Sequence, residues 1–190
     1  MAGIRQGTLF FAALALVAGC SSPPAATPAS PTTVDVPSVT KPLDTKGFTG
    51  DPCAMLTEAD RAELGLPTAE KNDELGRAAC DLHAGTAGQK PLEFLRVQIM
   101  ATPGLKGLTA QCGTSEAARC EGWMVDSVEG YPVIRANGEL EAKHGACKEF
   151  LGISDQAVIM INDVRTRSAS APDCSRADRT AAMVIRSLTP

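Results

Sequence analysis

Two histidines, His83 and His144, and seven cysteines are the side chains here that could react near neutral pH without help from their surroundings. A hydrolase would need a nucleophile, a base and a group that orients the base. The chain has neither a Gly-x-Ser-x-Gly turn nor a His-Glu-x-x-His helix. His83 lies three positions after Cys80 in a short segment, and His144 sits in a polar, glycine-flanked stretch, so both are expected in surface or hydrogen-bonded structural roles. Glu139 and Glu141 could share acid and base work, but beside Lys143 they fit a solvated loop. The glycines are dispersed, and none forms a phosphate-cradling loop ahead of a lysine. The expectation is a protein that is not an enzyme and carries no cofactor.

The cysteines divide into one and six. Cys20 directly follows Val17-Ala18-Gly19, at the end of an apolar run from Leu9 to Ala18 that is preceded by a single positive charge, Arg5. These are the three parts of an export signal. The cysteine at the cleavage point resembles the bacterial lipobox, which implies that Cys20 carries lipid and becomes the mature N-terminus. The apolar run falls short of the roughly 20 residues a membrane-crossing helix needs. Acyl chains on Cys20, at about 0.8 kcal/mol per buried methylene, would hold the protein on the extracytoplasmic face of a cell membrane.

The other six, Cys53, Cys80, Cys112, Cys120, Cys147 and Cys174, read as three disulfides in an exported domain. Nearest-neighbour pairing gives Cys53 with Cys80, Cys112 with Cys120, and Cys147 with Cys174. Closing a 27-residue loop contributes roughly 3.5 kcal/mol in the chain-entropy model. No Cys-x-x-Cys occurs and the histidines are not spaced with cysteines as ligands, so no metal site is expected.

The elements that must carry these residues follow from composition and periodicity. Residues 1–19 are the signal, and residues 20–50 are the lipidated cysteine with a tether. Residues 21–50 hold six of the thirteen prolines and one aromatic, Phe48, a composition expected to stay disordered. Residues 51–190 form one domain whose aromatics are Phe94, Trp123, Tyr131 and Phe150, so its core must come from Leu, Val, Ile, Met and Ala. Without the signal the net charge moves from −4 to about −5, which argues against nucleic acid as a partner.

Asp51-Pro52 and a Thr57–Asp60 capping box launch a first helix, with Met55, Leu56, Ala59, Ala62 and Leu66 at helical spacing and an end near Gly65-Leu66-Pro67. The segment around Cys80 and Leu82 is short and extended. From Glu93 to Ala101, Leu95, Val97 and Ile99 alternate with Phe94, Arg96, Gln98 and Met100, a strand with one face partly in water. Residues 102–121 read as a stapled loop or a short helix around Ser115 to Cys120. Trp123–Val128 and Tyr131–Ala136 pair through Glu129-Gly130, with Pro132 confining the second strand to an edge or a late start, and a loop follows at Asn137-Gly138. Cys147–Ile153 and Gln156–Val164 form another hairpin. After a polar stretch, a Ser175–Asp178 capping box starts a final helix striped by Ala177, Thr180, Ala181, Val184, Ile185 and Leu188. The class is α+β: a mainly antiparallel sheet with an N-terminal and a C-terminal helix, disulfide-stapled.

Asp51-Pro52-Cys53, Leu56-Thr57, the glycine closing the first helix, Val128-Glu129-Gly130-Tyr131-Pro132, the cysteine-led late strand and the Asp173-Cys174 helix start resemble an actinobacterial lipoprotein family, domain-of-unknown-function family 3558. The resemblance covers residues 50–188 and the lipobox. It departs at Leu82, where the family habit is tryptophan, and in the added pair Cys112 and Cys120. It implies location and fold and brings no activity. Two functions remain: a non-catalytic module that binds another protein of the cell envelope, which is favoured because a thin core leaves little volume for a pocket, and a carrier of a small or lipidic ligand. If Cys20 is the anchor, Cys20→Ser leaves little signal-processed lipoprotein, and mass spectrometry of the wild-type N-terminus finds acyl chains on Cys20.

Overall fold

Among the described residues seven strands form a single antiparallel sheet: β1 Thr68–Asn72, β2 Ala79–His83, β3 Phe94–Ala101, β4 Trp123–Val128, β5 Tyr131–Ala136, β6 Cys147–Ser154 and β7 Ala157–Val164. In space they run β1-β2-β3-β7-β6-β5-β4. Three helices among the described residues accompany them, α1 Glu58–Glu63, α2 Gly104–Thr109 and α3 Ser175–Leu188, with a 3₁₀ turn at Pro52–Met55. The computed structural model describes residues 34–73, 76–88, 92–112, 120, 122–136, 145–165 and 173–190. The signal segment, Cys20, the first part of the tether, Asn137-Gly138, Glu139, Glu141, Lys143, His144, the Ser115–Ala118 stretch and most of the polar segment before Pro172 lie outside the described residues. No described helix is long and apolar enough to cross a membrane.

The α+β class with three disulfides stands, and the two faces of the sheet are covered by different means. On one face Leu82, Leu95, Val97, Val133, Leu151, Ile159 and Ile161 are fully buried beneath α3 and the 3₁₀ turn. The stripe expected on α3, Ala177, Thr180, Ala181, Val184, Ile185 and Leu188, is buried as its helical period requires, and Met183 joins it. On the other face Ile134, Ala136, Phe150 and Val158 pack with Leu105 of α2 and with Val36.

Val36 corrects the expected tether. It is 4 % exposed, Val34 packs beside it, the Leu43 amide donates to the Ile153 carbonyl at 2.9 Å, and Phe48 lies against the first core. Residues 34–50 are therefore a strap on the domain, not a disordered continuation of the tether. A sheet face rich in Ile, Val and Phe offers enough apolar area to offset ordering a few valines and a leucine, which composition alone could not reveal.

Other corrections are local. β1 (Thr-Ala-Glu-Lys-Asn) has no apolar alternation and was not expected; the ladder to β2, from Thr68 opposite His83 to Asn72 opposite Ala79, makes it a strand. The Thr57–Asp60 capping box forms as expected, yet α1 is short and buries none of its own residues, Ala59 and Ala62 included. Its anchors are Met55, Leu56, Leu64 and Leu66 on either side. The Ser175–Asp178 box does not form: Cys174 is the N-cap without a side-chain cap, and the Asp173 carboxylate accepts the Ser175 amide at 3.0 Å. Pro132 does not place β5 at an edge, since β5 lies between β4 and β6; pairing with β6 starts one residue later, at Val133 opposite Leu151.

A helix, α2, occupies residues expected to loop because of their glycines. Those glycines serve close approach: a Cβ on Gly104, at φ +63°, would sit 2.9 Å from the Ser154 carbonyl oxygen, and one on Gly152 would lie 2.7 Å from Leu105 Cδ1. The β4–β5 turn has positive φ at both Glu129 (50°) and Gly130 (80°), the combination a two-residue hairpin with the right twist demands. If the strap is docked through its valines, Val36→Asp places an unpaired charge in the second core. Trypsin cleavage after Lys46 then accelerates on the order of tenfold while far-ultraviolet circular dichroism of the domain is retained.

Candidate functional site

Four strands and α3 converge on a set of buried charges between sheet and helix. Arg135 on β5 reaches three carboxylates: its Nε donates to Glu149 Oε1 at 3.0 Å, one terminal nitrogen donates to Asp178 Oδ1 at 2.7 Å, and the other bonds Asp126 on β4. Glu149, on β6 directly opposite Arg135, is fully buried. Beside it on β7, Asp163 is also fully buried and is held by Arg176 Nε at 3.0 Å and Arg165 Nε at 3.0 Å. Arg165 extends to Asp173 at 2.8 Å. The Cys147–Cys174 bridge ties β6 to the start of α3 between these clusters, and Cys147 faces Asp163 in register.

The electrostatics separate the carboxyls. Burial, followed by the neighbouring Asp178 charge, pushes Glu149 up to about 7 despite the opposing Arg135 hydrogen bond. Asp126 is held low by the Ser127 amide and then by Arg135. Asp173 is lowered to about 2 by hydrogen bonds from Ser175 and from Arg165. Arg135 is raised: burial works against its charge, but hydrogen bonds to Asp178 and Glu149 outweigh that. Glu149 lies buried under α3, and the grooves described next are lined by other residues.

A groove of about 700 Å³, open to solvent, runs past the end of β3 and α2. Ile99, Met100 and Leu108 form its apolar side, with Thr49, Arg77 and Gln111 around it. A smaller one of about 250 Å³ lies where the strap meets α2 at Pro37, Val39 and Lys106. A third feature is an edge: among the described residues β4 pairs only with β5, and on it Met124 is 55 % and Val125 37 % exposed. The opposite edge, β1, presents Glu70 and Lys71.

The sequence-predicted residues divide accordingly. Cys53 and Cys80, Cys112 and Cys120, and Cys147 and Cys174 are joined in nearest-neighbour pairs. His83 lies on β2 but is 1 % exposed, not at the surface, with Nε2 3.7 Å from Glu70 Oε1 and neither ring nitrogen hydrogen-bonded among the described residues. It lines neither groove. Cys147, Glu149 and Cys174 offer atoms within 4.8 Å of one another, but disulfide sulfurs are not thiolates and do not bind a metal while the bridge is intact.

Arg135, Glu149 and Asp163 were not singled out from the sequence, and Asp178 was expected only as a helix cap. The available signal was phase: Arg135 alternates with buried Val133, Glu149 lies between Cys147 and Leu151, and Asp163 continues Ile159 and Ile161, so each charge falls on the core-facing side of its strand. Comparison with known proteins finds one family model, described as a protein of unknown function (DUF3558), over residues 15–187. No curated protein and no solved structure matches the chain.

The raised Glu149 acidity has a sign. The folded protein holds a proton there that the unfolded chain releases, so this group's contribution to stability is full below about 4.5 and is lost as pH rises through about 7. The melting temperature of the wild type relative to Glu149→Gln therefore falls as pH rises from 4.5 to 8, as thermal denaturation followed by circular dichroism measures.

Proposed function

The chain belongs to the DUF3558 family, and on that premise we propose that it is a lipid-anchored, extracytoplasmic lipoprotein whose domain binds another cell-envelope protein without catalytic turnover. One observation carries this reading: among the described residues the sheet ends at β4 in an unpaired edge with exposed Met124 and Val125. An unpaired row of N–H and C=O groups can accept an extended segment of a partner as an eighth strand, while alternate side chains supply specificity. The other edge, β1, carries Glu70 and Lys71, the charged residues that discourage such pairing. A partner with an extended apolar segment therefore has a preferred side.

Anchoring at Cys20 leaves 14 positions to Val34, where the strap meets the domain. At full extension that length reaches about 45–50 Å, so partners on β4 are sought close to the membrane surface. The alternative, carriage of a small or lipidic ligand, is favoured by the groove of about 700 Å³ with Ile99, Met100 and Leu108 along it. Its openness and its polar rim at Thr49, Arg77 and Gln111 suit it less well to enclosing an apolar molecule.

The two readings separate by mutation. A photo-crosslinking residue placed at Met124 captures one envelope protein from the native membrane, and Met124→Lys with Val125→Asp reduces that capture more than about tenfold, since charges at an edge oppose strand addition. Leu108→Asp, in the groove, leaves it unchanged. The reverse pattern identifies a carrier, and loss of the cellular phenotype in a folded His83→Asn variant identifies an enzyme.

A further inference from the structure

We propose that the Cys147–Cys174 bridge is an exchangeable disulfide, opened by a dithiol that attacks Cys174 Sγ while the Glu149 carboxyl protonates the departing Cys147 sulfur. This activity is independent of what docks on β4. The two sulfurs occupy unlike settings: Cys147 is fully buried, and Cys174 is half-buried at the N-cap of the fourteen-residue α3. An incoming thiolate meets Cys174 first. A helix N-terminus stabilises the thiolate that Cys174 becomes on release, whereas a thiolate left on Cys147 would be stranded in the core.

A proton donor is in place for that buried sulfur. Glu149 Oε1 lies 3.8 Å from Cys147 Sγ, Glu149 is fully buried, and its Oε2 has no hydrogen-bond partner among the described residues. The groups facing it are Arg135 from β5 and Asp178 from α3, with Asp126 of β4 on the far side of Arg135. From β7, Asp163 lies opposite Cys147, already held by Arg165 and Arg176. Burial and Asp178 keep the Glu149 proton on the carboxyl up to about pH 7.

The exchange balances. The dithiol's first thiolate forms a bond to Cys174 Sγ, the Cys147–Cys174 bond breaks, and its electron pair goes to Cys147 Sγ, which takes the proton from Glu149. The second thiol, deprotonated, attacks the mixed disulfide and releases Cys174. The protein gains two electrons and one proton, held on Cys147, while Cys174 leaves as a thiolate; the dithiol becomes a disulfide with both its protons given up to water, and Glu149 recovers its proton from water.

The test uses the folded protein with dithiothreitol, and in a second arm an unstructured peptide with a reduced cysteine pair. Alkylation and peptide mapping identify which bridge opens, and circular dichroism monitors the fold. Cys147–Cys174 opens before the other two bridges. Its rate per unit of attacking thiolate falls about tenfold between pH 6 and pH 8 in the wild type, as the Glu149 proton is lost, and is flat in Glu149→Gln. A faster reaction with the peptide at equal thiolate assigns the dithiol to a protein, and equal rates assign it to a small molecule. The proposal is overturned if this bridge opens last, if it opens only as the circular dichroism is lost, or if the wild type has the flat profile itself.

Discussion

A seven-stranded sheet with apolar side chains on both faces must be covered twice, and the whole architecture answers that requirement. With few aromatics, each face is built from Leu, Ile and Val that gain on the order of 1.5–3 kcal/mol apiece only if water is excluded completely. One amphipathic helix of fourteen residues covers the first face. Over the second lie the short α2, through Leu105 and Leu108, and the strap, through Val34 and Val36. The strap holds Val34 and Val36 against Phe150 and Trp123, and the two rings contact each other with centroids 5.8 Å apart. Away from this patch, toward β1–β3, the same face turns polar: Arg96 grips Asp81 in a two-pronged pair, and Asn72 joins from β1.

Placing charge under α3 works against economy of stability. Burying Glu149 and Asp163 costs several kcal/mol per ion unless pairing is excellent, and apolar residues of similar size would often hold the helix as well. The arrangement selects orientation instead. Arg135 meets Asp178, and Arg176 meets Asp163, only when α3 lies at one angle and one register on β5–β7. The Cys147–Cys174 bridge sits between these two contacts and fixes the start of the helix covalently. The Cys53–Cys80 bridge acts in the same way at the other end, tying the 3₁₀ turn to β2. Covering elements too small to hold by area alone are thus held by bonds at their ends.

The edges complete the picture, because an open sheet leaves two strands half-paired. Charge guards β1, while β4 exposes Met124 and Val125 and keeps a carboxylate, Asp126, in contact with Arg135. β4 is thus a strand wired through one guanidinium to α3 and Glu149. Binding at the edge and chemistry at the bridge are separate proposals that share Arg135 as a neighbour.

Several local signals were legible in the chain unaided. β3 followed from period-two alternation, β4 to β7 from runs read as two hairpins, the Glu129-Gly130 turn from its place between two of those runs, α3 from its stripe, and the Thr57–Asp60 cap from side chains three residues apart, whereas the equally local Ser175–Asp178 box did not form. Nearest-neighbour pairing of the cysteines and the likeness to family 3558 were equally legible, since both depend on order along the chain. What tertiary structure decided depends on partners distant in sequence. β1 is a strand because β2 lies beside it, and residues 34–50 are ordered because an apolar face awaits them. Gly104 and Gly107 permit a helix where their type suggested a break, because other atoms crowd them. Asp178 turns from the expected cap to Arg135, a guanidinium 43 positions away, because a charge–charge hydrogen bond under the helix is stronger than a cap at its exposed end.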